Sequence, residues 1–154
     1  IVQNLIHNLK YKNHQEVGSL LGKWYAKDLE TVSQIKTVSE IIPVPLHKKR
    51  LEERGYNQAA CVAKGIARAS GIPMSETHLL RTKQVSSLIG LNRTERYKTL
   101  EEVFEVMRPG ELDGLRILLV DDTMTTGATF LAAGAKIKAA STGKLSFLAL
   151  AALK

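Results

Sequence analysis

The residues best placed to do chemistry together lie in one segment: Val120-Asp121-Asp122-Thr123-Met124-Thr125-Thr126-Gly127-Ala128-Thr129. It follows a continuous apolar run, Ile117-Leu118-Leu119-Val120, and precedes Phe130, Ala133, Gly134 and Ile137, which recur at helical spacing. Such a run predicts a strand buried on both faces, and the carboxyl edge of strands in an open α/β sheet is where ligands bind. A helix start offers N–H groups without intrahelical acceptors and the positive end of a dipole, so a phosphate suits Thr125, Thr126, Gly127, Ala128 and Thr129. Two carboxylates beside a phosphate would repel it unless they bind something else. Sugar hydroxyls donate to carboxylates, and a Mg²⁺ ion held between a sugar and a diphosphate would use Asp121 and Asp122 as well. The segment therefore asks for a ligand with a phosphate at one end and a diol or metal close by.

A second group carries positive charge. His47, Lys48, Lys49, Arg50 and Arg54 follow the short apolar run Ile41-Ile42-Pro43-Val44, which reads as a strand ending in a tight turn. Arginine forks engage phosphate oxygens in pairs, so Arg50 and Arg54 suit an anion. The alternative is an exposed helix start balanced by Glu52 and Glu53, with His47 either a phosphate donor or a capped turn residue. Arg93 and Arg96 stand in the polar, basic stretch from Thr82 to Thr99, whose only periodicity is a short helix from Thr94 to Lys98. A long irregular stretch in a compact domain is functional or mobile. His7, His14 and His78 join no constellation and read as surface residues.

These groups need elements to hold them. A capping box at Asn13 and Glu16 opens a helix along which Val17, Leu20, Leu21 and Trp24 recur. Asn57 to Gly71 predicts a second helix with Ala59, Val62, Ala63, Ile66 and Ala69 on one face and Lys64 and Arg68 on the other. Cys61 lies in that helix and reads as a packing residue. Phe104 to Val106 predicts a strand, Pro109 to Gly114 a turn, and Leu145 to Leu153 a last buried strand. Strand, helix and strand in short succession form a βαβ unit, and the chain reads as a doubly wound, mostly parallel α/β sheet with helices on both faces.

Composition sets bounds. The 154 residues suit one domain with a real core. No segment approaches the ~20 uninterrupted apolar residues of a membrane span, and the start lacks the layout of a signal peptide. A single cysteine excludes an internal disulfide framework and a cysteine-based zinc site, so a reducing, cytoplasmic setting is expected. The net charge of +7 is concentrated in residues 41–100, with 11 Lys/Arg against 4 Asp/Glu. That excess implies either an anionic partner, which a phosphorylated metabolite or nucleic acid could supply, or a solvated surface.

Ile117 to Thr129 resembles the phosphoribosyl-diphosphate (PRPP) binding signature of type I phosphoribosyltransferases. Pro43 to Gln58, reading PVPLHKKRLEERGYNQ, and Gly90 to Arg96, reading GLNRTER, resemble the ComF branch. With Lys10-Tyr11-Lys12 the resemblance covers nearly the whole chain from about residue 5. It implies a single type I phosphoribosyltransferase-like domain over residues 1–154, with Mg²⁺ as cofactor. It implies ribose contact, and Mg²⁺ contact directly or through ribose or water, at Asp121 and Asp122. The 5′-phosphate falls to Thr125, Thr126, Gly127, Ala128 and Thr129, and pyrophosphate to His47, Arg50 and Arg54. Arg93 and Arg96 fall in a flexible catalytic loop. The implied partners are PRPP and an unidentified nitrogen acceptor, with a homodimer as the assembly and nucleic acid as second choice. The cysteine cluster of longer ComF proteins is absent. Val85, Leu88 and Thr99 stand where the branch often has Thr, Gln and Asn, and no acid stands at Thr125, where hypoxanthine-type relatives carry one. Two function classes follow: a phosphoribosyltransferase, or a non-catalytic PRPP-binding or DNA-uptake protein.

Overall fold

The computed structural model describes residues 15–29, 31–32, 35–83, 90, 92, 94–95, 99 and 102–152. In chain order the elements are α1 (Gln15–Leu29), β1 (Glu40–Pro43), α2 (Lys48–Arg54), α3 (Gln58–Ser70), β2 (Leu79–Arg81), β3 (Phe104–Val106), β4 (Arg116–Met124), α4 (Ala128–Ala140) and β5 (Lys144–Ala152), with short 3₁₀ turns at Ile35–Thr37 and Pro109–Leu112. Strands β1, β4 and β5 form a parallel sheet in the order β1-β4-β5. Strands β2 and β3 form a separate antiparallel ribbon.

Alternation along β4 divides the core in two. Ile117 and Leu119 join Ile42 on one face, packed with Phe130, Ala133 and Ile137 of α4 and with Leu79 and Phe104 of the ribbon. Leu118 and Val120 join Ile41 on the other face, against Val62, Ala63 and Ile66 of α3 and Ala26 of α1. A strand buried on both sides has no polar face to offer, which is why 117–120 is uniformly apolar. Helices thus lie on both faces of a parallel sheet, the doubly wound α/β arrangement expected from the sequence. Among the described residues no helix is long and apolar enough to cross a membrane.

Helix α3 keeps both expected caps. Asn57 Oδ1 accepts from the Ala59 N–H at 3.1 Å, and Gly71, at φ 74°, ends the helix. Ala69, placed with the apolar face in the sequence reading, is exposed. Helix α1 forms, but its packed face differs from the stripe through Val17, Leu20, Leu21 and Trp24. Leu20 and Trp24 are exposed, and Gly18, Gly22 and Ala26 are buried. The cause is a close crossing of α1 and α3: a Cβ on Gly22 would overlap the Val62 carbonyl, and one on Gly65 the Ser19 carbonyl. Backbone proximity, rather than side-chain hydrophobicity, sets which face packs. Residues Asn13 and His14, where that helix was expected to open, lie outside the described residues.

The ribbon strand β2 had no counterpart in the sequence reading. Within the turn read at Pro109 to Gly114, the 3₁₀ segment buries Leu112 completely.

Candidate functional site

Strand β4 does not stop at Val120. It runs on through the acidic pair, with Asp121 opposite Ala149, Thr123 opposite Ala151 and Met124 opposite Ala152. The strand, read as ending at Val120, therefore extends four residues further, and the turn begins at Thr125. The reason is the partner strand, whose alanine-rich end gives β4 a small, continuous ladder.

The turn itself is as the residue types require. Gly127 adopts φ 74° and caps α4, a left-handed conformation that glycine takes without the Cβ penalty. The Ala128 N–H donates to Thr126 Oγ1 at 3.4 Å, and the Leu131 N–H closes the first helical turn on the Gly127 carbonyl at 2.9 Å. Helix geometry leaves the N–H groups of Gly127, Thr129 and Phe130 without intrahelical acceptors. Thr125 is exposed and Thr126 and Thr129 partly so, while Ala128 is buried. This is a backbone donor set at the start of a 13-residue helix, suited to a phosphate.

The alternation of β4 places Asp121 on the Ile117/Leu119 face, with the ribbon, and Asp122 on the Leu118/Val120 face, with α3. Asp121 is partly exposed and accepts from the Asp122 N–H at 2.8 Å. Asp122 is buried and accepts from the Thr123 hydroxyl at 3.4 Å. The structure therefore brings only one of the two carboxylates to the ribbon side.

The cationic half is assembled from two elements. The Val44 N–H donates to the Val120 carbonyl at 2.8 Å, and Asn57 Nδ2 donates to the Val44 carbonyl at 3.0 Å. These bonds fix the loop after β1 against the end of β4. Helix α2 follows, with His47 as its N-cap: Nδ1 accepts from the Lys49 N–H at 3.3 Å. That bond occupies Nδ1 alone, so the capping role of His47 is compatible with a phosphate contact through Nε2. Arg50 and Arg54 lie one turn apart and share a face of α2.

Arg81, at the end of β2, was missed by sequence reasoning. Its guanidinium carbon stands 5.6 Å from the centre of the Phe104 ring, and its buried Nε has no hydrogen-bond partner among the described residues. Burial pulls the guanidinium below its ordinary value, Arg50 pulls further in the same direction, and Asp121 opposes both. Two arginines from different elements thus lie within electrostatic reach of one another and of the Asp121 carboxylate. Like charges held together in this way make a ready counter-site for an anion. The only sequence signal was a pair of leucines before a polar run.

Arg93 and Arg96 lie outside the described residues, as do Val85 and Leu88. Between described residues of the same stretch, the Asn92 N–H donates to Glu95 Oε2 at 2.9 Å and the Glu95 N–H to Asn92 Oδ1 at 3.0 Å, a reciprocal pair of the capping-box kind; residues 96–98 of the short helix read there lie outside the described residues. Cys61 is partly buried, and burial and then Glu76 push its thiol up, with Lys64 opposing. That fits a packing role.

His78 is not the surface residue the sequence suggested. It is 8% exposed, with Nδ1 3.2 Å from Glu40 and Nε2 2.8 Å from Glu111. Arg108 reaches the same Glu111 carboxylate at 3.4 Å. The cluster ties the foot of the ribbon to the start of β1, at the opposite end of the sheet from Asp121. Its members are separated by 33 residues or more in sequence from one another's partners across elements, so no local pattern announced it.

The donor set bears on Mg²⁺. Among the described residues no group of three His, Cys, Asp or Glu side chains converges to cage a metal. A partly exposed Asp121 fits Mg²⁺ in the way that ion is bound with nucleotides and diphosphates, through one or two carboxylates, water and ligand phosphate oxygens.

Over 129 residues, 81% of the chain, the protein is 32% identical to Competence protein F of Haemophilus influenzae, of which it spans 56%. It is 38% identical over 89 residues to Competence protein ComFC of Bacillus subtilis, matching 58% of this chain and 34% of that one. The chain thus spans about half the length, or less, of these curated relatives. No protein-family model matches it. Its fold superposes on glutamine PRPP amidotransferase from B. subtilis with a TM-score of 0.55, over 86% of this chain and 26% of that chain, at 17% identity. That likeness is one of fold. With the Pro43–Gln58 motif now placed at the carboxyl end of β1, and with competence proteins as relatives, the chain is a ComF-like protein built on the type I phosphoribosyltransferase fold.

Proposed function

We propose that the protein binds PRPP with Mg²⁺ at the carboxyl edge of its parallel sheet and transfers the phosphoribosyl group to a nitrogen nucleophile. One observation carries the reading: Asp121 leads along the chain into the helix-start turn and, by the alternation of β4, stands on the ribbon face, within electrostatic reach of Arg81, as Arg50 also is. A ligand with a phosphate, a diol and a diphosphate matches that order of donors, acceptor and cations.

In this reading the turn from Thr125 to Thr129 holds the 5′-phosphate through backbone N–H groups. Asp121 accepts from the ribose hydroxyls, with Asp122 behind it in the core. His47, Arg50, Arg54 and Arg81 take the pyrophosphate, and Arg93 and Arg96 serve as the catalytic arginines. The bond from the anomeric carbon to the pyrophosphate oxygen breaks, and its electron pair leaves with pyrophosphate. The nitrogen lone pair forms the new bond, and the nitrogen then loses a proton. The transition state has oxocarbenium character, as in glycoside hydrolysis. Bound Mg²⁺ supplies neutralisation of the leaving diphosphate. Each arginine aimed at the developing charge is worth about 3 kcal/mol of barrier.

Titration calorimetry with PRPP and Mg²⁺ tests the binding step. Saturable heat is expected, abolished in the Asp121→Asn, Asp122→Asn double variant. No heat at millimolar PRPP from the parent protein would overturn the reading. PRPP turnover screened against nucleobases and ammonia then identifies the acceptor.

A second reading, DNA handling with or without a retained PRPP pocket, is favoured by a further relative, DNA utilization protein YhgH of Salmonella typhimurium, 25% identical over 128 residues, and by the basic excess in residues 41–100. It predicts DNA affinity that falls with salt at a log–log slope near −0.9 per phosphate contact and that PRPP does not shift.

A further inference from the structure

The inference concerns Gln58 and rests on the PRPP reading. Gln58 is the first residue of α3 and is 2% exposed. A neutral amide buried so deeply is costly unless its atoms are hydrogen-bonded. Only half of it is: Oε1 accepts from Arg54 Nη1 at 3.0 Å, while Nε2 has no partner among the described residues. Arg54 is the last residue of α2, and Gly55, at φ 78°, turns the chain so that the start of α3 folds back beside it. Tyr56, also buried, adjoins both side chains. Its hydroxyl is pushed up by burial and then by Cys61, with Gln58 and Arg54 opposing.

An apolar side chain of the same length would fill this space without leaving an amide nitrogen unsatisfied. What the glutamine supplies, and an apolar residue would not, is an acceptor for one N–H of Arg54. We propose that Gln58 is a positioning residue that holds the Arg54 guanidinium on the Arg50 face of α2, so that its remaining N–H donors are already oriented for pyrophosphate. A free arginine side chain loses rotamer freedom when it grips a ligand; one restrained beforehand loses less.

The test is a double-mutant cycle read by magnesium pyrophosphate affinity, with thermal melting recorded for each protein. Gln58→Met removes the acceptor at similar volume. It should weaken pyrophosphate binding up to about tenfold in the parent background and less than about twofold when Arg54 is already alanine. Should Gln58→Met fail to fold, Gln58→Asn withdraws the oxygen by one methylene and carries the same expectation. Equal losses in both backgrounds, or no loss in the parent, would overturn the positioning role while leaving the PRPP reading intact. Failure of the parent protein to bind pyrophosphate at all would overturn the PRPP reading, and this inference with it.

Discussion

The two halves of the candidate site are built differently. The phosphate turn is contiguous and made of backbone: Thr125 to Thr129, with its donors set by the start of α4 and the left-handed Gly127. The cationic half is made of side chains brought together from α2 and β2, with Arg50 and Arg81 more than thirty positions apart in the chain. A backbone site depends on one conformation being reachable. A side-chain site depends on two elements docking correctly. Ribose 5-phosphate and inorganic pyrophosphate, as separate probes, address the two halves in turn.

The largest expected effect falls on the turn. Gly127→Val forces a β-branched residue into the left-handed region, a strain of about 1–3 kcal/mol, and misdirects the N–H groups of the first helical turn. Ribose 5-phosphate affinity should fall about 100-fold, near the upper end of that strain, while pyrophosphate affinity stays within about twofold. Calorimetry with both probes decides. Equal losses for the two ligands would show that the halves do not act separately.

The reverse pattern is expected from Arg81→Ala and Arg50→Ala. A hydrogen bond to a charged group is worth about 1.5–3 kcal/mol, so each change should weaken pyrophosphate binding at least tenfold and leave ribose 5-phosphate binding unaltered. Because the two guanidiniums repel one another in the absence of a ligand, either change should also leave the melting temperature at low salt no lower than the solvent-exposed control Lys48→Ala. A clear drop in stability would mean that Arg81 serves the packing of Phe104 more than an anion.

The same contrast explains what could be read from the sequence. The turn was legible in outline because its information is local: an apolar run, an acidic pair, a glycine and a helical period. The strand before it was read four residues short, as ending at Val120, because pairing of Asp121, Thr123 and Met124 with β5 is a tertiary contact. The caps of α3 were legible for the same local reason, as Asn57 and Gly71 act on their own helix. Arg81 and the His78 cluster were not, because their meaning comes from partners on other elements. The face of α1 was misread because a glycine crossing overrode the apolar stripe that periodicity rewards.

A smaller effect separates docking of the ribbon from the charge it carries. Phe104→Leu keeps the core apolar and removes the ring beneath Arg81. A cation–π contact is worth about 0.5–1 kcal/mol at a partly exposed site. Pyrophosphate affinity should fall about threefold, and ribose 5-phosphate affinity should not move. A loss as large as that of Arg81→Ala would assign the orientation of the guanidinium to the ring rather than to the anion.

The smallest effect concerns the foot of the ribbon, where acid should loosen the side-chain half and spare the turn. The hydrogen bond from His78 is the main reason the Glu111 carboxyl sits below its ordinary value of 4.5; desolvation opposes this, and Arg108 assists. A carboxyl whose folded value is depressed contributes stability that is complete above the unfolded value and is lost as pH falls through the folded one. The contribution of Glu111 is therefore whole at pH 6 and fades below about pH 4.5. Glu111 is exposed on its outer side, so solvent screens the pair and the gap in melting temperature between the parent and Glu111→Gln should be small at pH 6 and close towards zero near pH 3.5. Amide exchange should respond locally: in Glu111→Gln at pH 6, the β2 and β3 amides that bridge the ribbon exchange faster, while those of α4 keep their rates. A gap that stays constant across this range, or equal acceleration in α4, would separate the His78 cluster from the docking of Arg81 and leave the cationic half held by its core contacts alone.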